Sequence, residues 1–124
     1  MRTVEIPRGA WTTTLDEFSV VHEGWLVSLE VLDSTTGAQP EVDDLPLLGA
    51  SVAGADGSAI TISAGRSWAE HITHTIHAPT RVQLERREDG ADVALQIESA
   101  DGAKAILRFR VAALPETVDG TVRR

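Results

Sequence analysis

Three histidines stand at intervals of three residues in the segment 71–77, His-Ile-Thr-His-Thr-Ile-His. On a helix this spacing would align the imidazoles in one stripe that could hold a divalent metal ion. Four of the seven residues are β-branched and Pro79 follows, which favours a strand. On a strand His71 and His77 share one face about 20 Å apart while His74 points the other way, so a single ion cannot bind all three. We therefore expect His74 to be partly buried and bonded to a backbone carbonyl.

A second candidate cluster precedes the histidines, in the sequence Gly65-Arg66-Ser67-Trp68. An arginine beside a tryptophan in a loop can stack on a ligand or bind an anion. The alternative is that Trp68 folds back as a lid over the core. The candidate binding residues are thus Arg66, Trp68, His71 and His77.

Catalytic motifs are missing from the sequence, which has no G-x-S-x-G, no H-E-x-x-H and no phosphate-binding loop. It also has no cysteine, which excludes disulfides, thiolate metal sites and thiol nucleophiles. We predict no catalytic residue, no bound metal and no cofactor. The expected function is that of a non-catalytic binding or interaction module. The alternative is a metal-binding protein or metal-dependent enzyme that uses the strand from His71 to His77.

Charge and length limit the classes of partner. The 124 residues correspond to one domain, predicted over residues 1–120 with a disordered tail at 121–124. A net charge of −8 argues against nucleic acid and anionic membranes, because both need a cationic surface. The sequence has no apolar run of membrane-spanning or signal-peptide length, so we expect a cytoplasmic protein. Its partner is then a protein or a small molecule, with self-association through sheet edges as a further route.

One helix must precede the strands. Trp11, Leu15, Phe18 and His22 recur at the spacing of one helix face, which predicts a helix near residues 8–22. Gly24 supplies a left-handed stop. We expect this apolar face to form part of the core.

After Gly24 the hydrophobic period changes from helical to alternating, which indicates β-strands. Asp-Gly pairs at residues 56–57, 89–90 and 101–102 predict tight turns between them. The predicted strands cover residues 25–32, 50–55, 59–63, 71–77, 80–87, 92–99 and 103–111. Residues 33–49 contain two prolines and are predicted to form a long connection with a short edge strand at 38–42.

The predicted fold is mainly β, since a sheet of six or seven antiparallel strands with one apolar face must close on itself or be covered. We expect a small, strongly bent barrel or roll of the SH3-like or Sm-like kind, with the helix plugging an open end. A two-layer arrangement of helix on sheet is the alternative.

Four stretches of the sequence carry a family resemblance. They are residues 22–27 (HEGWLV), 44–47 (DLPL), 73–80 (THTIHAPT) and 90–110, with GAD, LQIESADG and LRFR. Together they resemble a family of small bacterial proteins known only as domain of unknown function 5335. The resemblance extends from about Glu5 to Gly120 and implies a stand-alone single-domain protein. It implies no activity, cofactor or site residue.

Overall fold

The computed structural model describes residues 1–54 and 56–110. These contain β1 (Arg2–Ile6), a 3-10 turn (Arg8–Ala10), α1 (Trp11–His22), β2 (Leu26–Asp33), β3 (Gly37–Ala53), β4 (Ala59–Ser67), β5 (Glu70–His77), β6 (Pro79–Arg86), β7 (Asp92–Ser99) and β8 (Lys104–Phe109). The strands form one antiparallel sheet in the order β1-β6-β7-β8-β2-β3-β4-β5. The mainly β prediction is confirmed. The predicted tail at 121–124 and the predicted strand end at Val111 lie outside the described residues.

The helix forms where its apolar spacing predicts it. Trp11, Leu15, Phe18 and His22 are all buried along one face. Gly24 follows with φ +89°, a left-handed conformation that glycine adopts without steric cost. No helix in the described ranges is long and apolar enough to cross a membrane.

The strand count and the closure of the sheet correct the barrel prediction. The described residues form eight strands instead of six or seven, and the edge strands β1 and β5 do not pair with each other. The additional strand is β1, whose residue Ile6 lies opposite Val82 of β6. Only two of the five residues of β1 are buried or half-buried, so its hydrophobic pattern is a weak strand signal. β1 therefore forms because it pairs with the distant strand β6. The SH3-like or Sm-like closed barrel is therefore not the observed architecture.

Strand β3 is the second correction, because a 17-residue strand replaces the predicted long connection. Its first part, up to Pro46, pairs with β2, and its second part, from Leu47, pairs with β4. On either side of this junction lie Asp44, with φ +53°, and a bulge at 47–49. Bulges and bends of this kind let one strand turn a corner of a sheet. Pro40 and Pro46 are tolerated because each part of β3 pairs along one edge in the part of the chain that the structure describes.

The core is a single apolar cluster that joins α1 to both parts of the bent sheet. Its fully buried large members include Leu15, Leu29, Leu47, Ile60, Ile62, Val82, Leu95, Ile97 and Leu107. The predicted Asp-Gly turns are confirmed, since Gly57, Gly90 and Gly102 have φ of +75°, +91° and +91°. The sheet is thus held by core residues from distant segments and by turns that the local sequence dictates.

Candidate functional site

The hairpin between β4 and β5 carries the cluster that the sequence singled out. Its two-residue loop begins at Trp68, between the paired residues Ser67 and Glu70. Arg66 is the extra residue of a bulge. Gly65 is buried, and a Cβ placed there would lie 2.5 Å from the carbonyl oxygen of Glu70. A glycine is therefore required for the two strands to approach this closely, and the bulge sets the direction of the loop.

Trp68 is exposed and held in place. Its exposed fraction is 60%, so the alternative of a core lid is wrong. The Nδ1–H of His71 donates to the Trp68 carbonyl oxygen at 2.8 Å, and the two rings meet edge to face with centroids 5.0 Å apart. His71 thus contacts both the backbone and the ring of Trp68, while the indole remains exposed to solvent.

Trp68 lies at the wall of a groove of about 490 Å³ between α1 and the outer face of β3 and β4. The groove, called here the Trp68 groove, is lined by Asp16, Ser19, Val20, Gly49, Ala50, Ser51, Thr61, Ser63 and Trp68. Val20 is 79% exposed and contributes a second apolar wall. The volume falls within the range of about 300–1,000 Å³ that is usual for small-ligand sites.

Ser19 fixes the helix against β3 and so sets the width of the groove. Its hydroxyl accepts from the backbone N–H of Ala50 at 2.8 Å and lies 2.8 Å from the carbonyl oxygens of Leu15 and Ala50. A Cβ at Gly49 would be 3.5 Å from the Ser19 Oγ, so the strand passes close to the helix here. These contacts place the helix residues of the groove next to the sheet.

Paired hydroxyl groups form part of the floor of the groove. Ser51 and Thr61 lie opposite each other with their oxygens 3.3 Å apart. Ser63 is only 6% exposed, and its oxygen is 2.8 Å from that of Thr73. In each pair one hydroxyl donates to the other, which leaves a proton and lone pairs for further bonds. The floor therefore offers both donors and acceptors.

Arg66 and His71 line a different pocket, of about 350 Å³. The remaining lining residues of this pocket are Leu45, Gly65, Glu70 and Ile72. The structure thus brings Arg66, Trp68 and His71 together on one hairpin, although Trp68 faces its own groove. Asp16, which lies in the helix 52 residues before Trp68, was not among the predicted site residues.

His77 is separated from this cluster at the far end of β5. It lines a cavity of about 230 Å³ together with His74, Asp33 and Asp101. His74 is half-buried and is the most buried of the three histidines, as predicted. In place of the predicted backbone carbonyl, the described residues give His74 the carboxylate of Glu41 as its polar partner, 3.9 Å from Nδ1.

The acids of this cavity are held by their own turns. The pKa of Asp101 is lowered by the hydrogen bond from the Ser99 hydroxyl and then by the backbone N–H of Ala103. Asp33 accepts from the backbone N–H of Thr35 at 2.7 Å. Within residues 1–54 and 56–110, no group of three or more histidine or acidic side chains is close enough to hold a metal ion.

His22, Asp92 and Arg86 form a buried chain of polar side chains that the sequence did not predict. His22 is 3% exposed, and its Nδ1 lies 2.8 Å from the carbonyl oxygen of Phe18 while its Nε2 lies 3.2 Å from Asp92. Both neighbours present acceptor oxygens, so His22 has a polar contact at each of its two ring nitrogens. The ring contacts Phe18, Trp25 and Phe109, with centroids 4.4–4.7 Å away. No local signal could have linked His22 to an acid 70 residues later.

Asp92 completes the chain by accepting from the Nε–H of Arg86 at 2.8 Å. Burial of the carboxyl group raises its pKa, but the hydrogen bonds and charges of His22 and Arg86 together lower it further, so the net pKa of Asp92 is below its ordinary value. The chain connects the last turn of α1 to β6 and β7. Because His22 is enclosed by aromatic rings, we assign this chain to stability instead of ligand binding.

Comparison with known proteins gives a family but no activity. An uncharacterised protein from Aquifex aeolicus strain VF5 is 33% identical to the chain over 117 residues, which cover 94% of this chain and 100% of the relative. No solved structure matches the chain significantly. The model of a family of unknown function, DUF5335, matches residues 2–117, which confirms the resemblance seen in the sequence. The chain therefore belongs to the DUF5335 family.

Proposed function

We propose that this protein is a non-catalytic binding module and that the Trp68 groove is its ligand site. The observation that carries the proposal is the indole of Trp68, 60% exposed and fixed by His71 at the wall of a groove of about 490 Å³. Exposed tryptophans dominate binding energies because they bury a large area on contact. A ring that is already fixed loses little conformational freedom when a ligand covers it.

The bonding of the groove's serines supports the non-catalytic part of the proposal. Ser19 is bonded to backbone groups, and Ser51 and Ser63 are bonded to threonine hydroxyls. A serine nucleophile needs a general base within hydrogen-bond distance. The nearest histidine of the hairpin, His71, lines the other pocket and bonds through Nδ1 to a carbonyl oxygen.

A thermal-shift screen with a chemically varied panel tests the proposal without assuming a ligand. The panel contains sugars, amines, nucleotides, carboxylic acids and short peptides, each measured with the wild type and with Trp68→Ala. We expect at least one class to raise the melting temperature of the wild type and not that of Trp68→Ala, because a ligand stabilises the state that it binds. Without ligand, Trp68→Ala should melt close to the wild type, since the ring is mostly exposed.

The matched control is Val21→Ala, which removes an exposed apolar side chain from α1 that does not line the groove. It should keep every ligand response. If each stabilising compound acts equally on wild type and Trp68→Ala, the Trp68 groove is not the ligand site and the proposal is refuted.

Metal binding through the strand from His71 to His77 is the alternative function. His74 and His77 line one cavity with Asp33 and Asp101, but among the described residues no three such side chains are close enough to hold one ion, so this function requires them to rearrange around the metal. Elemental analysis of the purified protein decides it. One tightly bound transition metal per chain that is lost in His77→Ala would favour this function over the Trp68 groove.

The sheet edges support self-association as a second mode of interaction. Within residues 1–54 and 56–110, the edge strands are β1 and β5, and each has one hydrogen-bonded neighbour in the sheet. Open edges of this kind can pair with a second copy. Sedimentation measurements over a range of concentrations test this, because a monomer at all concentrations contradicts it.

A further inference from the structure

The charges in the Trp68 groove limit the class of its ligand. Asp16 is the only ionisable side chain among the described residues that line it. Binding of a phosphate or carboxylate group normally uses arginine, lysine or a set of backbone N–H groups. A negative side chain would repel such a ligand. We therefore expect a neutral or cationic ligand.

The hydroxyl pairs favour a neutral ligand that both donates and accepts hydrogen bonds. Ser51 and Thr61 share one hydrogen bond at most, as do Ser63 and Thr73, which leaves a free proton and free lone pairs in each pair. An ammonium group can only donate, so it would use the lone pairs of these hydroxyls and leave the free proton of the exposed Ser51–Thr61 pair to water. Ligand hydroxyl groups can satisfy both the protons and the lone pairs.

The indole selects the shape of the ligand. The face of an aromatic ring is negative and attracts weakly positive groups, including the C–H bonds of a flat apolar surface. A pyranose ring combines one such C–H face with hydroxyl groups around its edge. In the groove, Trp68 provides the apolar wall, and Asp16 together with the hydroxyl groups of Ser51, Thr61 and Ser63 provides the polar one.

We propose that the Trp68 groove binds a neutral sugar, with a pyranose ring stacked on Trp68 and its hydroxyl groups bonded to Asp16 and to the Ser51–Thr61 pair. This inference rests on the proposed function and names its ligand class. Each ligand hydroxyl would donate to the Asp16 carboxylate or exchange a hydrogen bond with a side-chain hydroxyl. Binding thus uses the protein's existing side-chain positions and requires no cofactor.

Tryptophan fluorescence tests the inference directly. Trp11 and Trp25 are 3% and 8% exposed, so quenching by acrylamide reports mainly on Trp68. The probes are glucose, galactose, mannose, N-acetylglucosamine and linear oligosaccharides of glucose and of N-acetylglucosamine. A binding sugar should shift the emission to shorter wavelength and protect Trp68 from acrylamide.

Three substitutions identify the contacts. Calorimetric titration measures binding by the Trp68 variants, because they lack the fluorescent reporter. Trp68→Ala should weaken sugar binding by about tenfold or more, while Trp68→Phe should retain part of it. Asp16→Asn should weaken binding by about tenfold, because it removes a hydrogen bond to a charged acceptor. The matched control is Glu17→Gln, an exposed acid of the same helix that does not line the groove, and it should leave binding unchanged.

Two further probes test whether the groove binds a charged ligand instead of a sugar. Tetramethylammonium represents a cationic ligand, and inorganic phosphate represents an anionic one. If either protects Trp68 and the sugars do not, the sugar inference is overturned while the proposed function stands. If no sugar binds at concentrations up to about 10 mM, the range of weak specific sites, the inference is also overturned. If no compound of any class depends on Trp68, the proposed function fails as well.

Discussion

Replacing Asp92 by asparagine should destabilise the fold by about 2–3 kcal/mol. Removing one partner of a fully buried ion pair costs about 3–5 kcal/mol, because the remaining charge is left without compensation. The Asp92 side chain is 15% exposed and that of Arg86 is 34% exposed, so solvent offsets part of the loss. His22, at 3% exposure, keeps little access to water and accounts for most of the effect. Asparagine has nearly the same shape, so packing changes little.

Urea unfolding followed by circular dichroism measures this change. A loss of this size corresponds to a melting temperature lower by about 6–12 °C for a chain of this length. The matched control is Glu98→Gln on the same strand, where the acid pairs with Lys104 and both side chains are more than a third exposed. Such surface pairs contribute at most about 1 kcal/mol, so the control should remain close to the wild type.

The pH dependence distinguishes the ion pair from a packing effect. The pKa of Asp92 is lower in the folded protein than the ordinary value of 3.8. Asp92 therefore contributes stability above that value, and this contribution is lost as the pH falls through the folded pKa. The difference between wild type and Asp92→Asn should therefore shrink as the pH falls from about 5 into stronger acid. A difference that stays the same at low pH, or one below about 0.5 kcal/mol at neutral pH, refutes the reasoning.

Three more predictions concern the backbone and the core, and urea unfolding measures each of them. Gly65→Ala should lower the free energy of unfolding by about 2–3 kcal/mol, because the new Cβ would meet the backbone of Glu70 at 2.5 Å. Gly102→Ala should cost only about 1 kcal/mol, because the space around its Cβ is open. A larger loss for Gly102→Ala than for Gly65→Ala contradicts this. Phe18→Ala should cost about 3–5 kcal/mol, since Phe18 is 5% exposed in the core, and an unchanged midpoint would contradict that assignment. Ala78→Gly should stabilise the protein by up to about 1 kcal/mol, because Ala78 has φ +51°, and a loss of stability would show that the alanine side chain matters more than the strain.

The candidate site illustrates how far local sequence can lead. The pairing of an arginine and a tryptophan in a loop pointed to Arg66 and Trp68, and the structure places both on the β4–β5 hairpin. The sequence did not decide whether Trp68 is a lid or an exposed residue. That depends on which side of the loop the core lies, and the core is assembled from strands far apart in the chain. Asp16 was missed for the same reason, because it reaches the groove only when α1 packs on β3.

The sequence by itself determined the elements whose signals lie within a few residues. The helical spacing from Trp11 to His22 and the Asp-Gly turns at Gly90 and Gly102 are examples, because side-chain period and backbone angles are local properties. Only the tertiary structure decided the pairing of Ile6 with Val82, the bend of β3 and the contact of His22 with Asp92. These features depend on which surfaces meet after the chain has folded. A sheet edge or a buried charge can find its partner at any distance along the sequence, and no local pattern records which partner that is.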